Sequence, residues 1–194
     1  MSKKLDITET DLMILALFSH GYDREYYIRE VCTYLPISPG TAQTVLVRLE
    51  DKRVLASSQR GKIRLFRIKP SEISIQYFIL AEIYKKIRFM EENPYISEVL
   101  DRVSSCTQGT TLLFGSYAKG TETETSDLDI FVAGRYDERE VAKIGEMYGV
   151  EVTIKSYPDT AFGPKYLSDP LVLEVRKNHI VWKNTDSFVR EVVA

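Results

Sequence analysis

Two aspartates at the head of a branched apolar run constrain this chain more than any other feature. Asp127-Leu128-Asp129-Ile130-Phe131-Val132 alternates acid and aliphatic before turning wholly apolar, which predicts a strand. Alternate residues of a strand share a face. Asp127 and Asp129 therefore point one way, and Leu128 and Ile130 point into a core. Two carboxylates held side by side repel, and a fold that keeps them there needs a cation. Hard oxygen donors favour Mg2+ or Mn2+, commonly shared with phosphate oxygens. Just upstream, Thr110 to Phe114 reads as a short buried strand, followed at once by Gly115-Ser116 and a helix-compatible piece ending near Gly120. Such a turn offers backbone N–H groups and a hydroxyl to a phosphate, and glycine lets the backbone come close. The order strand, Gly-Ser turn, spacer, Asp-x-Asp predicts a place for divalent metal and a polyphosphate, where two metals can orient an in-line displacement at phosphorus.

The rest of the 194 residues supply an ordinary globular background. A chain 44% hydrophobic and 28% charged is not a disordered, collagenous or coiled-coil sequence. It lacks the run of about 18 apolar residues that a membrane-spanning helix needs. Met1-Ser2-Lys3-Lys4-Leu5-Asp6 turns acidic before any apolar stretch, so no export signal is expected and a cytoplasmic location is. Cys32 and Cys106 lie far apart and are expected to be free thiols. His20 and His179 have no ligand-like spacing to them.

The net charge of -2 hides an asymmetry: residues 1–70 carry +4 and residues 71–194 carry -6. Residues 48–69 alone carry +6, which is a polyanion footprint or a solvated face. Thr8-Glu9-Thr10-Asp11 caps an apolar helix from Leu12 to Phe18 that stops at Gly21. Asp23 is expected to cap a second helix running to about Leu35, with Pro36 as terminator. Ser38-Pro39 opens a third, with Ala42, Val45 and Leu49 inward and Gly40, Thr41, Gln43, Thr44, Val47 and Arg48 outward. Val54–Ser58 and Lys62–Lys69 then form a hairpin around Arg60-Gly61.

Three short helices followed by a basic hairpin resembles the winged helix-turn-helix family over residues 6–70. The resemblance implies a third helix in a DNA major groove and a wing along the backbone. It carries DNA contact onto Thr41, Gln43, Thr44, Arg48, Arg60, Lys62 and Arg64, with dimerisation or partner docking as the alternative. Pro70-Ser71 marks a boundary, and residues 72–92 read as one helix ended by Asn93-Pro94. Ile73, Ile75, Phe78, Ile79, Ile83, Ile87 and Met90 make it apolar on more than one side, so it packs against both halves or against a second copy, as in a homodimer.

Gly115-Ser116-Tyr117-Ala118-Lys119-Gly120, followed by Ser126-Asp127-Leu128-Asp129, resembles the signature of the nucleotidyltransferase superfamily that includes DNA polymerase β, and most of all its minimal prokaryotic members. The resemblance covers about residues 95–185. It implies an α+β fold with a mixed sheet flanked by helices, and transfer of a nucleoside monophosphate, AMP from ATP above all, to a hydroxyl of a protein or small molecule. Related minimal proteins are antitoxins that modify a toxin, which makes a protein acceptor the expectation. Asp127 and Asp129 would bind metal, Gly115 and Ser116 the phosphates, and Lys119 the triphosphate. The family's third carboxylate belongs on the strand Val150–Ser156, after a helix at 137–148. Glu151, Thr153 and Lys155 share a face there. Glu151 is the candidate acid for metal and catalysis; if Thr153 holds the place, metal binding weakens. Glu122 and Glu124 are read as solvent-facing, Tyr117 as packing, and His179 and Trp182 as structural. The expected domains are a winged helix at 6–70, a linking helix at 71–94 and a nucleotidyltransferase domain at 95–185. The other functional reading is a DNA-binding regulator that senses nucleotide without turnover.

Overall fold

The computed structural model describes residues 6–123 and 125–193. The segment read for an export signal, residues 1–5, and Glu124 lie outside them. The chain forms two units. One comprises the residues up to Tyr84 together with Val193, and the other runs Lys85–Val192.

In the first unit, α1 (Glu9–Phe18) opens with a reciprocal cap: the Thr8 hydroxyl accepts the Asp11 N–H, and the Asp11 carboxylate accepts the Thr8 N–H at 2.7 Å. Ile14, Leu15 and Phe18 are fully buried. The second helix departs from expectation. Asp23 does not cap it; α2 is Ile28–Tyr34. The reason is long-range: Tyr26 pairs with Phe66 through N–H···O bonds of 2.9 and 2.8 Å, and that extended backbone postpones the helix. In α3 (Pro39–Asp51), Ser38 caps the Thr41 N–H at 3.1 Å. Ala42, Val45, Leu46 and Leu49 are buried, while Thr41, Gln43 and Thr44 are exposed. Val47, expected outside, is half-buried. Strands β1 (Leu55–Arg60) and β2 (Ile63–Ile68) pair antiparallel, with Arg60 opposite Ile63. The turn is therefore Gly61-Lys62, one residue later than expected. Three helices followed by this two-stranded hairpin are compatible with a winged helix-turn-helix.

Helix α4 (Glu72–Glu92) has the predicted bounds. Phe78, Ala81 and Phe89 are buried, whereas Ile73, Leu80, Ile83 and Ile87 remain exposed.

The second unit is built on a four-stranded mixed sheet. Its elements are α5 (Pro94–Ser105), β3 (Thr107–Leu113), α6 (Gly115–Lys119), β4 (Leu128–Tyr136), α7 (Glu138–Tyr148), β5 (Val152–Tyr157), α8 (Pro170–Lys177), β6 (Ile180–Lys183) and α9 (Thr185–Val193). The order is β5-β4-β3-β6, with β4 and β5 parallel and the other pairs antiparallel. Asn93-Pro94 ends α4 and at once opens α5, since proline suits a first helical turn. Leu113, Leu128, Ile130, Val132 and Trp182 form one sheet face against Val99, Leu100 and Val103 of α5 and Val141 of α7. The other face is aromatic, with Phe131 against Tyr157 at 5.0 Å and Phe162 at 5.5 Å.

His179 is fully buried; its Nδ1 faces the Val175 carbonyl at 2.8 Å and its Nε2 the Lys85 ammonium at 3.2 Å. The Trp182 indole N–H donates to Asp101 at 2.8 Å. Both side chains serve packing. Cys32 and Cys106 are free thiols. Among the described residues no helix is long and apolar enough to cross a membrane.

Candidate active site

The site lies where β3 ends and β4 begins. Leu128 and Ile130 are anchored in the core, which leaves the aspartates flanking Leu128 on the opposite side of β4. Asp127 precedes the strand by one residue and is exposed, and Asp129 is half-buried. Partial burial, and then the charge of Asp127, push the Asp129 carboxyl above its ordinary range, against the pull of Lys155 and Lys119. The two carboxylates thus lie close enough to repel.

Gly115 is shaped by Asp129. The Phe114 N–H donates to the Asp129 carbonyl at 2.9 Å, which pins the turn to the strand. Gly115 then adopts φ +72°, and a Cβ there would lie 2.2 Å from Asp129 Oδ2. Only glycine fits both the backbone and the space. We therefore expect Gly115→Ala to lower stability by about 1–3 kcal/mol and to displace the Asp129 carboxylate. Thermal melting checks this, and an unchanged Tm would contradict it.

Ser116 is half-buried in the first turn of α6, and its carbonyl accepts the Thr121 N–H at 3.1 Å. Lys119 is exposed and paired with Glu174 of α8 at 2.7 Å. That bond holds the Glu174 carboxyl below its ordinary range. Glu174 is an acid of the site that sequence reasoning missed. It lies 55 positions beyond Lys119 and carries no local signal. Tyr117 packs on the core; burial, and then the charge of Glu122, raise its phenol above its ordinary range. Glu122 is half-buried rather than solvent-facing, and its Oε2 is shielded without a hydrogen bond.

The neighbouring strand sets out the remaining candidates. Thr153 is the register partner of Asp129, and Lys155 is that of Phe131. Glu151 is exposed, just ahead of β5, and its carbonyl accepts the Leu128 N–H at 2.8 Å. It lies one step before the Leu128–Val152 pair, at the level of Asp127. The structure brings Asp127, Asp129 and Gly115 together, with Lys119 and Lys155 near enough to act on Asp129. Among the described residues, no three acids, histidines or cysteines gather into a group that could hold a metal. A pair of carboxylates suits Mg2+ all the same, because this ion is usually held by one or two carboxylates together with substrate phosphates.

The basic half divides differently. Arg60, Lys62, Arg67 and Lys69 are exposed. Arg64 pairs with Glu50 and donates to Ser57 Oγ at 2.9 Å. Arg48, expected to face outward, folds back onto fully buried Asp11, with Nη2–Oδ2 2.7 Å and Nε–Oδ1 3.2 Å. Thr44 bonds the Gly40 carbonyl at 2.9 Å, and the Thr41 and Ser38 hydroxyls lie 2.9 Å apart.

Comparison with known proteins places the second unit. No curated protein matches the chain. A solved structure of TrmBL2, an archaeal chromatin protein described with a novel mode of DNA binding, aligns over 90% of this chain and 72% of its own. Its identity is 14% and its TM-score 0.30, too loose a superposition to carry an argument. Residues 95–183, which hold the mixed sheet, the Gly115 turn and both aspartates, match the family model described as a nucleotidyltransferase domain.

Proposed function

We propose that this protein is a nucleotidyltransferase that moves a nucleoside monophosphate, AMP from ATP first among them, to a hydroxyl of a protein or small molecule. The observation that carries the reading is the Asp127–Asp129 pair held against the Gly115 turn, within the span of the family match. Ser116 and the Gly115 backbone bind phosphate, and Lys119 meets the triphosphate. Asp127 and Asp129 would hold Mg2+ or Mn2+, which supplies charge neutralisation at phosphate oxygens when bound. Asp129 accepts that role because its carboxylate is already destabilised beside Asp127. Glu151 is the candidate base for the acceptor hydroxyl, since Thr153 is no proton acceptor at neutral pH. A toxin-like protein is the expected acceptor class. The exposed Ile73, Leu80, Ile83 and Ile87 of α4 recur at spacings that suit a second copy of the helix.

The test is incubation of the purified protein with Mg2+ and each α-phosphate-labelled nucleoside triphosphate, alone and with lysate of its source. Label on a macromolecule or small acceptor supports the reading. No label in any of the four counts against it.

A second reading has its own observation. Thr153 stands at the Asp129 register, and the wing carries exposed Arg60, Lys62, Arg64 and Arg67, which suits a DNA-binding regulator that senses nucleotide without turnover. Affinity for duplex DNA then falls steeply with salt. Replacing Arg60 and Lys62 together by Gln is expected to reduce the slope of log K against log salt by about 2. Fluorescence anisotropy at several salt concentrations checks it, and an unchanged slope removes the wing from the interface.

A further inference from the structure

We infer that Lys155 is a phosphate-binding residue of this site, meeting a nucleoside triphosphate from the β5 flank while the Gly115-Ser116 turn meets it from the β3 flank. The inference rests on the nucleotide reading above and adds a residue to it. Sheet order provides the two flanks: β4 lies between β5 and β3, and the turn follows directly on β3. Register places the residue, since Asp129 pairs with Thr153 and Phe131 with Lys155. Alternation puts Asp129, Thr153 and Lys155 on one face, because Val152 and Ile154 pack into the core on the other. Two residues along a strand span about 7 Å, which a lysine stem covers when it turns back toward Asp129.

The charge around the pair points the same way. A triphosphate brought to two carboxylates adds several negative charges to a place already short of cations. Thr153 adds no charge beside Asp129, and Lys119 shares its charge with Glu174 at 2.7 Å. Among the described residues Lys155 makes no ion pair, and it is exposed. A lysine that only balanced Asp129 would be indifferent to phosphate, so the two roles separate by experiment.

Binding of the four nucleoside triphosphates and their monophosphates to the full chain with Mg2+ is measured by calorimetry. Wild type, Lys155→Met, Lys155→Arg and Lys119→Met are compared, with circular dichroism as the check on folding. Lys155→Met is expected to weaken triphosphate binding about tenfold and monophosphate binding less than twofold. Lys155→Arg should keep most of the affinity, and Lys119→Met should lose less than Lys155→Met. Triphosphate binding as tight in Lys155→Met as in wild type overturns the role of Lys155 and leaves the nucleotide reading standing. A wild type that binds no triphosphate overturns both.

Discussion

Asp127→Asn is expected to lower monophosphate transfer by at least 10²–10³-fold, a loss in the range of removing one group that stabilises transition-state charge, and to leave the fold more stable than wild type. Both effects have one origin. Asp127 is exposed and touches little of the core, so its removal takes nothing from packing. Its charge pushes the neighbouring Asp129 carboxyl upward, second only to burial. A carboxyl with a raised folded-state pKa holds its proton more tightly folded than unfolded. Its contribution is therefore unfavourable at neutral pH and vanishes as pH falls below the unfolded value. Asparagine relieves the repulsion, and we expect Tm at pH 7 without divalent cation to rise by about 1–2 °C, with the difference closing toward pH 3. A transferase that kept wild-type rates in Asp127→Asn would refute the site. A variant that lost activity and also melted lower would show Asp127 to be structural instead.

What the sequence discloses, and what it withholds, follows from range. The alternation of Asp127, Leu128, Asp129 and Ile130 is a local period of two, so the shared face of the acids is legible from the residues alone. The facing set Glu151, Thr153, Lys155 is legible for the same reason. Which of them sits beside Asp129 is not, because register is fixed by inter-strand bonds such as Leu128 N–H to the Glu151 carbonyl, and a strand's pattern is silent on its neighbour's phase. Local caps read well at Thr8 and Ser38. The cap assigned to Asp23 fails because Tyr26 answers to Phe66, 40 positions away. Glu174 escapes on the same account. Its role exists only through Lys119, on a different helix.

Arg48 is the sharpest case, and it yields the second large effect. Arg48→Met is expected to destabilise the first unit by about 2–3 kcal/mol, a Tm drop of about 10–15 °C for a unit of its size. Asp11 has no exposed surface. Burial alone would raise its carboxyl; the Thr8 hydroxyl and N–H, together with Arg48, outweigh that and hold it below the ordinary range. Removing Arg48 leaves a buried carboxylate with Thr8 alone, which costs less than a wholly unpaired charge because the cap survives. A depressed folded-state pKa gives stability that is present above the unfolded value and lost as pH falls through the folded one. The gap between wild type and Arg48→Met should accordingly be full near pH 7 and shrink below about pH 4. Asp11→Asn should cost a similar amount. A double-mutant cycle between the two should give a coupling of about 1–3 kcal/mol, since the guanidinium meets both carboxylate oxygens. DNA affinity, measured below the melting range, should change less in Arg48→Met than in the Arg60 and Lys62 pair. An unchanged Tm with a large loss of DNA binding would reverse the assignment and return Arg48 to the groove-facing surface of α3.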